Sequence, residues 1–340
     1  MDKMNRILVV SVNWLGDAIL MTPALKALKQ QLPSSYIGIM CVKRVRGVFD
    51  DNPYIDKVIT FDEKTFHKGV WSKISFIKSL KKKKFDTVFF VHRSFTKAFV
   101  CFLAGIKNRI GYTRVKNAFI VNKRITPPDT SIKRQDYYLN VFEKMGVVIE
   151  DRYPEFFISN EKIEKISIQL KPILDRYKYI VGINPSANWK LKRWPQDYFA
   201  QLCDLLIKNL NCGIVFIGTE KDNNIVEGVM KQMKEKSLNF CGKTDLKDLG
   251  ALIKHMDLFV SNDSGPAHLS ASLGIKTLAI FGPTSDKITS PIGKRVTIYR
   301  KSVDCVIPCY KLECLDNVCM KQISVNDIYS RVECLLKNEK

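Results

Sequence analysis

The feature that most constrains this chain is an alternation that occurs twice. Short runs rich in β-branched and aromatic residues lie at Ile7–Val12, Tyr36–Met40, Lys57–Thr60 and Thr87–Val91. Between them, helical spacing is read at Ala18–Gln30, near Val45–Phe49 and at Trp71–Lys82, and Ser94–Ala104 reads as a further buried helix. Pro127-Pro128 interrupts the pattern, a helix is expected at Gln135–Met145, and a charged linker is expected between Tyr153-Pro154 and Lys171-Pro172. The alternation then resumes. Strands are expected at Tyr179–Asn184, Gly213–Ile217, near Leu238–Phe240, and at Leu258–Ser261 and Thr277–Phe281. Helices are expected at Gln196–Leu210, Asp222–Lys234, Leu246–His255, Pro266–Leu273 and Val325–Leu336. Strands that alternate with helices pair in parallel and are covered on both faces.

A chain of 340 residues has room for two such domains. The expected division is 1–170, 171–324 and a terminal helical segment 325–340. The fold class is α/β, with two Rossmann-like doubly wound domains. Ligands of such sheets bind beyond the carboxyl ends of the strands, and with two domains the cleft between them is the expected site.

Charge narrows the partners. Net charge is +21. Residues 1–170 hold 30 Lys and Arg against 16 Asp and Glu, and residues 171–340 hold 25 against 18. A field of this sign attracts polyanions: nucleic acid, an anionic membrane face or a phosphorylated substrate. Nucleic acid is disfavoured, because no helix-turn-helix, RRM or zinc-finger pattern appears and no aromatic platform is interleaved with the basic residues. No apolar run reaches 18 residues and the apolar part of the start is too short for a secretory signal, so a cytoplasmic protein is expected. Ten cysteines fit that placement if they stay reduced.

Three segments carry candidate chemistry. In VSVNWLGDAIL, Gly16 permits a tight turn and Asp17 opens a helix at the end of the first strand. A carboxylate there either caps the helix or takes a proton from a hydroxyl. No G-x-G-x-x-G fingerprint follows this strand, which counts against a nucleotide-sugar epimerase or dehydrogenase, and no Walker A sequence occurs. In NPSANWKLKRWPQ, Ser186, Asn188, Lys190, Lys192 and Arg193 supply donors before a helix that Pro195 opens, a pattern suited to phosphate. In VSNDSGPAHL, a strand runs into Asp263, Ser264, Gly265 and Pro266, which start a helix whose N–H groups and dipole favour an anion. Asp263 suits sugar hydroxyls better than phosphate, and His268 either donates to phosphate or is packed.

NWLGDAILMTPAL, HRSFTKAFVCFLAGIKNRIGY, NPSANWKLKRWPQDYFAQL and SNDSGPAHLSASLGIKTLAIFGPTS resemble, in order, the blocks of the family 9 glycosyltransferases, the ADP-heptose:lipopolysaccharide heptosyltransferases. The resemblance runs from residue 7 to about 320. It implies a GT-B fold with an N-terminal acceptor domain and a C-terminal donor domain. It also implies inverting transfer of L-glycero-D-manno-heptose from ADP-heptose to a lipid A–Kdo–heptose acceptor, and NWLGD resembles the heptosyltransferase II group most. By the same resemblance Asp17 is the general base, Lys192 and Ser186 meet the donor phosphate, and Asp263, Ser264, Gly265 and His268 belong to the donor block. Arg93, Arg109 and Arg114 are expected to meet the acceptor. No cofactor is required beyond ADP-heptose as co-substrate, and a monomer in peripheral contact with the anionic inner membrane is expected. A relative using another acceptor or nucleotide sugar would share these blocks.

Cys305, Cys309, Cys314 and Cys319 lie in a C-x3-C-x4-C-x4-C run. The spacing departs from paired C-x2-C knuckles, so a reduced, packed cluster is expected rather than a zinc site.

Overall fold

The computed structural model describes residues 4–91, 94–112, 119–129, 131–309, 311 and 313–338. The chain divides into two compact units, 1–157 and 158–340. The first sheet contains β1 (Arg6–Val10), β2 (Tyr36–Cys41), β3 (Lys57–Thr60), β4 (Thr87–Phe90), β5 (Asn108–Tyr112) and β6 (Lys123–Ile125). Its order is β3-β2-β1-β4-β5-β6, and every pair is parallel. The second sheet contains β7 (Tyr179–Asn184), β8 (Cys212–Phe216), β9 (Leu238–Asn239), β10 (Leu258–Asn262), β11 (Lys276–Ile280) and β12 (Val296–Tyr299). Its order is β12-β11-β10-β7-β8-β9, again parallel throughout. Counted from its own first strand, each unit therefore has the doubly wound order 3-2-1-4-5-6.

Helices cover both sheets. They are α1 (Leu15–Leu20), α2 (Thr22–Gln31), α3 (Val70–Lys82), α4 (Phe95–Leu103) and α5 (Arg134–Glu143) in the first unit. The second unit has α6 (Asn160–Leu174), α7 (Gln196–Leu210), α8 (Asn223–Met230), α9 (Leu246–Lys254) and α10 (Gly265–Ser272), with Val325–Lys337 as its last helix. The central strands β1, β4, β7 and β10 read as apolar runs because both of their faces are buried. Under α3 and α4, Leu8, Val10, Val88 and Phe90 pack with Leu80, Ala98 and Cys101. In the second unit Trp194, Phe199, Leu202 and Phe216 pack with Ile328, Val332 and Leu336 of the last helix. Burying one such side chain is worth about 1.5–3 kcal/mol. Gly182 lies in the middle of β7, where a Cβ would run into the buried Met256 and Phe259 side chains.

Several expectations are corrected. The helix expected at Ala18–Gln30 is two helices that meet at Met21, where the Thr22 hydroxyl donates to the Ile19 carbonyl. The stretch near Val45–Phe49 is a 3-10 turn, Lys43–Val48. The expected linker is largely helix α6, so the expected boundary at residue 170 falls inside a helix of the second unit. Its buried residues Ile166, Leu170 and Ile173 keep helical spacing amid charge, and Pro172 sits in the final turn. Helix α4 is buried on one face only. Strands β5, β6 and β12 were not expected; they are short, and β5 and β6 carry Arg109, Lys123 and Arg124.

Candidate active site

In each sheet the strand order reverses between two neighbours, β1 and β4 in the first and β7 and β10 in the second. At such a point adjacent loops diverge and leave room for a ligand. Asp17 follows β1, Ser186 follows β7, and Asp263 follows β10. The topology thus takes all three sequence segments to the switch points.

In the first unit Asp17 lies in the first turn of α1 and is half-buried. The Tyr138 hydroxyl of α5 is hydrogen-bonded to it. Burial, then the Asp17 charge, pushes the Tyr138 hydroxyl far up, so Tyr138 remains a donor. The loop before Asp17 is held by two cations. Lys97 of α4, 2% exposed, donates to the Ser11 carbonyl at 3.3 Å and to Asn13 Oδ1 at 2.8 Å. Burial lowers its pKa to about 8, against the opposing pull of Cys41, Glu63 and Asp62. Arg44 donates to the Asn13 carbonyl at 2.7 Å and stacks 4.5 Å over the exposed Trp14 ring.

In the second unit the loop after β7 is locked to the end of β10. Asn262 accepts the Trp194 N–H at 3.0 Å and donates to the Pro185 carbonyl at 2.9 Å. Asn184 donates to the hydroxyls of Ser261 at 3.0 Å and Ser264 at 2.8 Å. The Ser264 side chain is thereby turned away from α10, whose start carries no side-chain cap. An uncapped helix start presents N–H groups and partial positive charge. Beside it, Lys192 Nζ lies 2.6 Å from Asp263 Oδ2, and the Thr284 hydroxyl donates to the same oxygen at 2.6 Å. The Asp263 side chain is 5% exposed and that of Lys192 is 21% exposed, so the ammonium keeps an open side. Ser186 donates to Asp222 Oδ1, while Thr219 donates to Asp222 Oδ2 at 2.6 Å. Burial works to raise the Asp222 pKa, but the bonds from Ser186 and Thr219 win and lower it.

The expected residues therefore separate. Lys192, Asp263, Ser264, Gly265 and Pro266 come together around the start of α10. Ser186 is buried against Asp222, and Asn188 is exposed in the same loop. His268 is 7% exposed, and burial lowers its pKa to about 4, so it is a neutral imidazole with Nδ1 lacking a partner among the described residues. Arg109 is tied to its own loop. Its Nε donates to the Ile120 carbonyl at 2.6 Å and its Nη1 to those of Ile106 at 2.5 Å and Lys107 at 3.0 Å, so it clamps its own loop. Arg93 and Arg114 lie outside the described residues. Sequence reasoning missed Tyr138, Lys97, Asn184, Asn262 and Thr284. A lone lysine in an apolar helix, FTKAFV, was the one available signal. Cys305, Cys309, Cys314 and Cys319 are free thiols, and among the described residues no three His, Cys, Asp or Glu form a group that could hold a metal ion.

Two doubly wound units of one topology, with Asp17 at the first switch point and Lys192, Asp263 and the start of α10 at the second, have the α/β architecture of the GT-B-type transferases. The family model for glycosyltransferase family 9 (heptosyltransferase) matches residues 73–318, and the chain belongs to that family. Lipooligosaccharide heptosyltransferase 2 of Haemophilus ducreyi is 29% identical over 87% of this chain and 88% of its own length. The crystal structure of the glycosyl transferase family 9 from Veillonella parvula is 25% identical, with a TM-score of 0.84 over 98% of this chain and 97% of that one. The structure of E. coli ADP-heptose lps heptosyltransferase II shares the fold, with a TM-score of 0.83 at 21% identity over 98% and 99% of the two chains.

Proposed function

We propose that this glycosyltransferase moves L-glycero-D-manno-heptose from ADP-heptose to the inner core of lipopolysaccharide, as the second heptose and with inversion at the anomeric carbon. The observation that carries the reading is the Lys192–Asp263–Thr284 cluster beside the uncapped start of α10. A leaving nucleoside diphosphate gains charge as the glycosidic bond breaks. The Lys192 ammonium and the helix N–H groups receive that charge without a metal. Asp17, fixed by Tyr138, takes the proton of the attacking acceptor hydroxyl, and one in-line displacement inverts the centre. The neutral His268 supplies a hydrogen bond rather than a charge. The names of the relatives support heptose as the sugar and the second-heptose position. Among the described residues no helix is long and apolar enough to cross a membrane. Action from the cytoplasmic side, in peripheral contact with the bilayer that carries the acceptor, belongs to the same reading.

Calorimetric titration of the protein with ADP, ADP-heptose and UDP, with and without EDTA, tests it. Selective binding of ADP and ADP-heptose that EDTA leaves unchanged is the expected result. Preference for UDP would replace the donor, and loss of binding in EDTA would overturn the metal-free site.

A further inference from the structure

Helix α4 is apolar on two faces. Ala98, Val100 and Cys101 enter the core. Phe95, Phe99, Phe102 and Leu103, at positions i, i+4, i+7 and i+8, point the other way and are 46%, 38%, 40% and 44% exposed. Their rings form one surface: Phe95 and Phe99 stack at 5.8 Å, Phe99 and Phe102 at 6.5 Å, and Phe119 meets Phe95 edge-on at 6.5 Å. A helix apolar all round is normally buried all round, so a contiguous aromatic face left in water marks a contact surface.

Charge identifies the partner. From Lys64 to Pro128 the sequence holds sixteen Lys and Arg against the single acid Asp86. Arg109 lies 5.2 Å over the Phe102 ring and Lys107 is exposed next to the same helix end. Helix α3, packed with α4 over one core, exposes Trp71, Lys78, Lys81 and Lys82. Two copies meeting through this face would bring like charges together. An anionic bilayer satisfies both features, because aromatic rings sit at the boundary of headgroup and acyl chain while lysines lie among lipid phosphates.

We propose that the Phe95–Phe99–Phe102–Leu103 face of α4, with its lysine surround, docks the protein on an anionic lipid bilayer. The inference deepens the proposed function by naming the surface that brings the enzyme to a lipid-borne acceptor. The test is sedimentation with vesicles of equimolar phosphatidylcholine and phosphatidylglycerol, against vesicles of phosphatidylcholine alone. The wild type is expected to partition onto the anionic vesicles only. Phe95→Ser/Phe99→Ser/Phe102→Ser is expected to lose at least about tenfold in partition, and Lys78→Glu/Lys81→Glu/Lys82→Glu a similar amount. The lysine variant should keep the wild-type melting temperature, because its altered side chains are exposed; the aromatic variant should melt lower, because its rings are more than half covered, yet stay folded at the assay temperature. Turnover of a deacylated, water-soluble acceptor saccharide should be unchanged in both. Wild-type partition by the aromatic variant overturns the inference. So does a concentration-dependent dimer that the aromatic variant abolishes, which would assign the face to a second copy. Turnover without vesicle binding refutes the docking surface alone, whereas vesicle binding without heptose transfer refutes the proposed function alone.

Discussion

Replacing Lys97 by methionine should strengthen the fold and weaken the enzyme. The ammonium is buried on α4, with its hydrogen bonds to Ser11 and Asn13 in the loop that precedes Asp17. Its pKa falls from 10.5 to about 8, a difference that corresponds to roughly 3 kcal/mol of destabilisation while the group is charged. Methionine keeps the volume and removes the charge. It also leaves two acceptors without this donor, at a cost of about 1–3 kcal/mol. The expected net at pH 7 is a gain of about 0–2 kcal/mol.

The sign of the pH dependence is fixed. Between pH 8 and 10.5 Lys97 is less protonated in the folded chain than in the unfolded chain, so its contribution to stability rises across that window and is lost as pH falls through 8. The neighbouring Cys41 and Cys101 thiols are pushed up by burial, Cys41 to about 12, so within the window they lose protons only in the unfolded chain and pull stability the other way in wild type and variant alike. Urea midpoints of wild type and Lys97→Met at pH 7, 8, 9 and 10 isolate the lysine, since every other group cancels in the difference. Turnover of the variant should fall about tenfold with donor KM unchanged, because the loop loses its anchor while the second unit is untouched. Parallel stability curves from pH 8 to 10 would show that Lys97 is not a desolvated cation, and unchanged turnover would detach it from the Asp17 loop.

Asp17→Asn should cut turnover by at least about 100-fold and leave ADP affinity intact, which single-turnover kinetics and calorimetry read separately. Tyr138→Phe removes the hydroxyl that fixes Asp17 and should lower kcat by about tenfold at constant donor KM, the scale of one hydrogen bond to a charge. Lys192→Ala should weaken both ADP binding and turnover, and unchanged ADP affinity would move the anion site elsewhere. Asn262→Ala breaks two buried hydrogen bonds and should cost about 1–3 kcal/mol in denaturant melts while weakening ADP binding through the loosened loop.

The central strands and the residues that end them were legible, because a parallel strand buried on both faces announces itself as an apolar run. Val9, Ile183 and Val260 are such positions. The placement of Asp17, Lys192 and Asp263 followed, since the loops beyond a strand's carboxyl end are where this topology leaves room for a ligand. Short peripheral strands were not legible: β6 is three residues, Lys123–Ile125, two of them basic. Nor were the hydrogen bonds of Arg109, because local pattern cannot show that an arginine reaches back to the carbonyls of its own loop. Tyr138 and Thr284 lie 121 and 21 residues from the acids they bond, separations that no local pattern spans.

The repeated strand order also bears on how the chain is made. All six strands of the first sheet lie before residue 126, and the first unit is complete at residue 157. A ribosome therefore releases a finished parallel sheet, with no strand exchanged between halves, well before the second sheet's first strand emerges at Tyr179. With two sheets of the same order in one chain, mispairing between halves is the natural folding error. Vectorial synthesis removes it by closing the first sheet before its competitor exists.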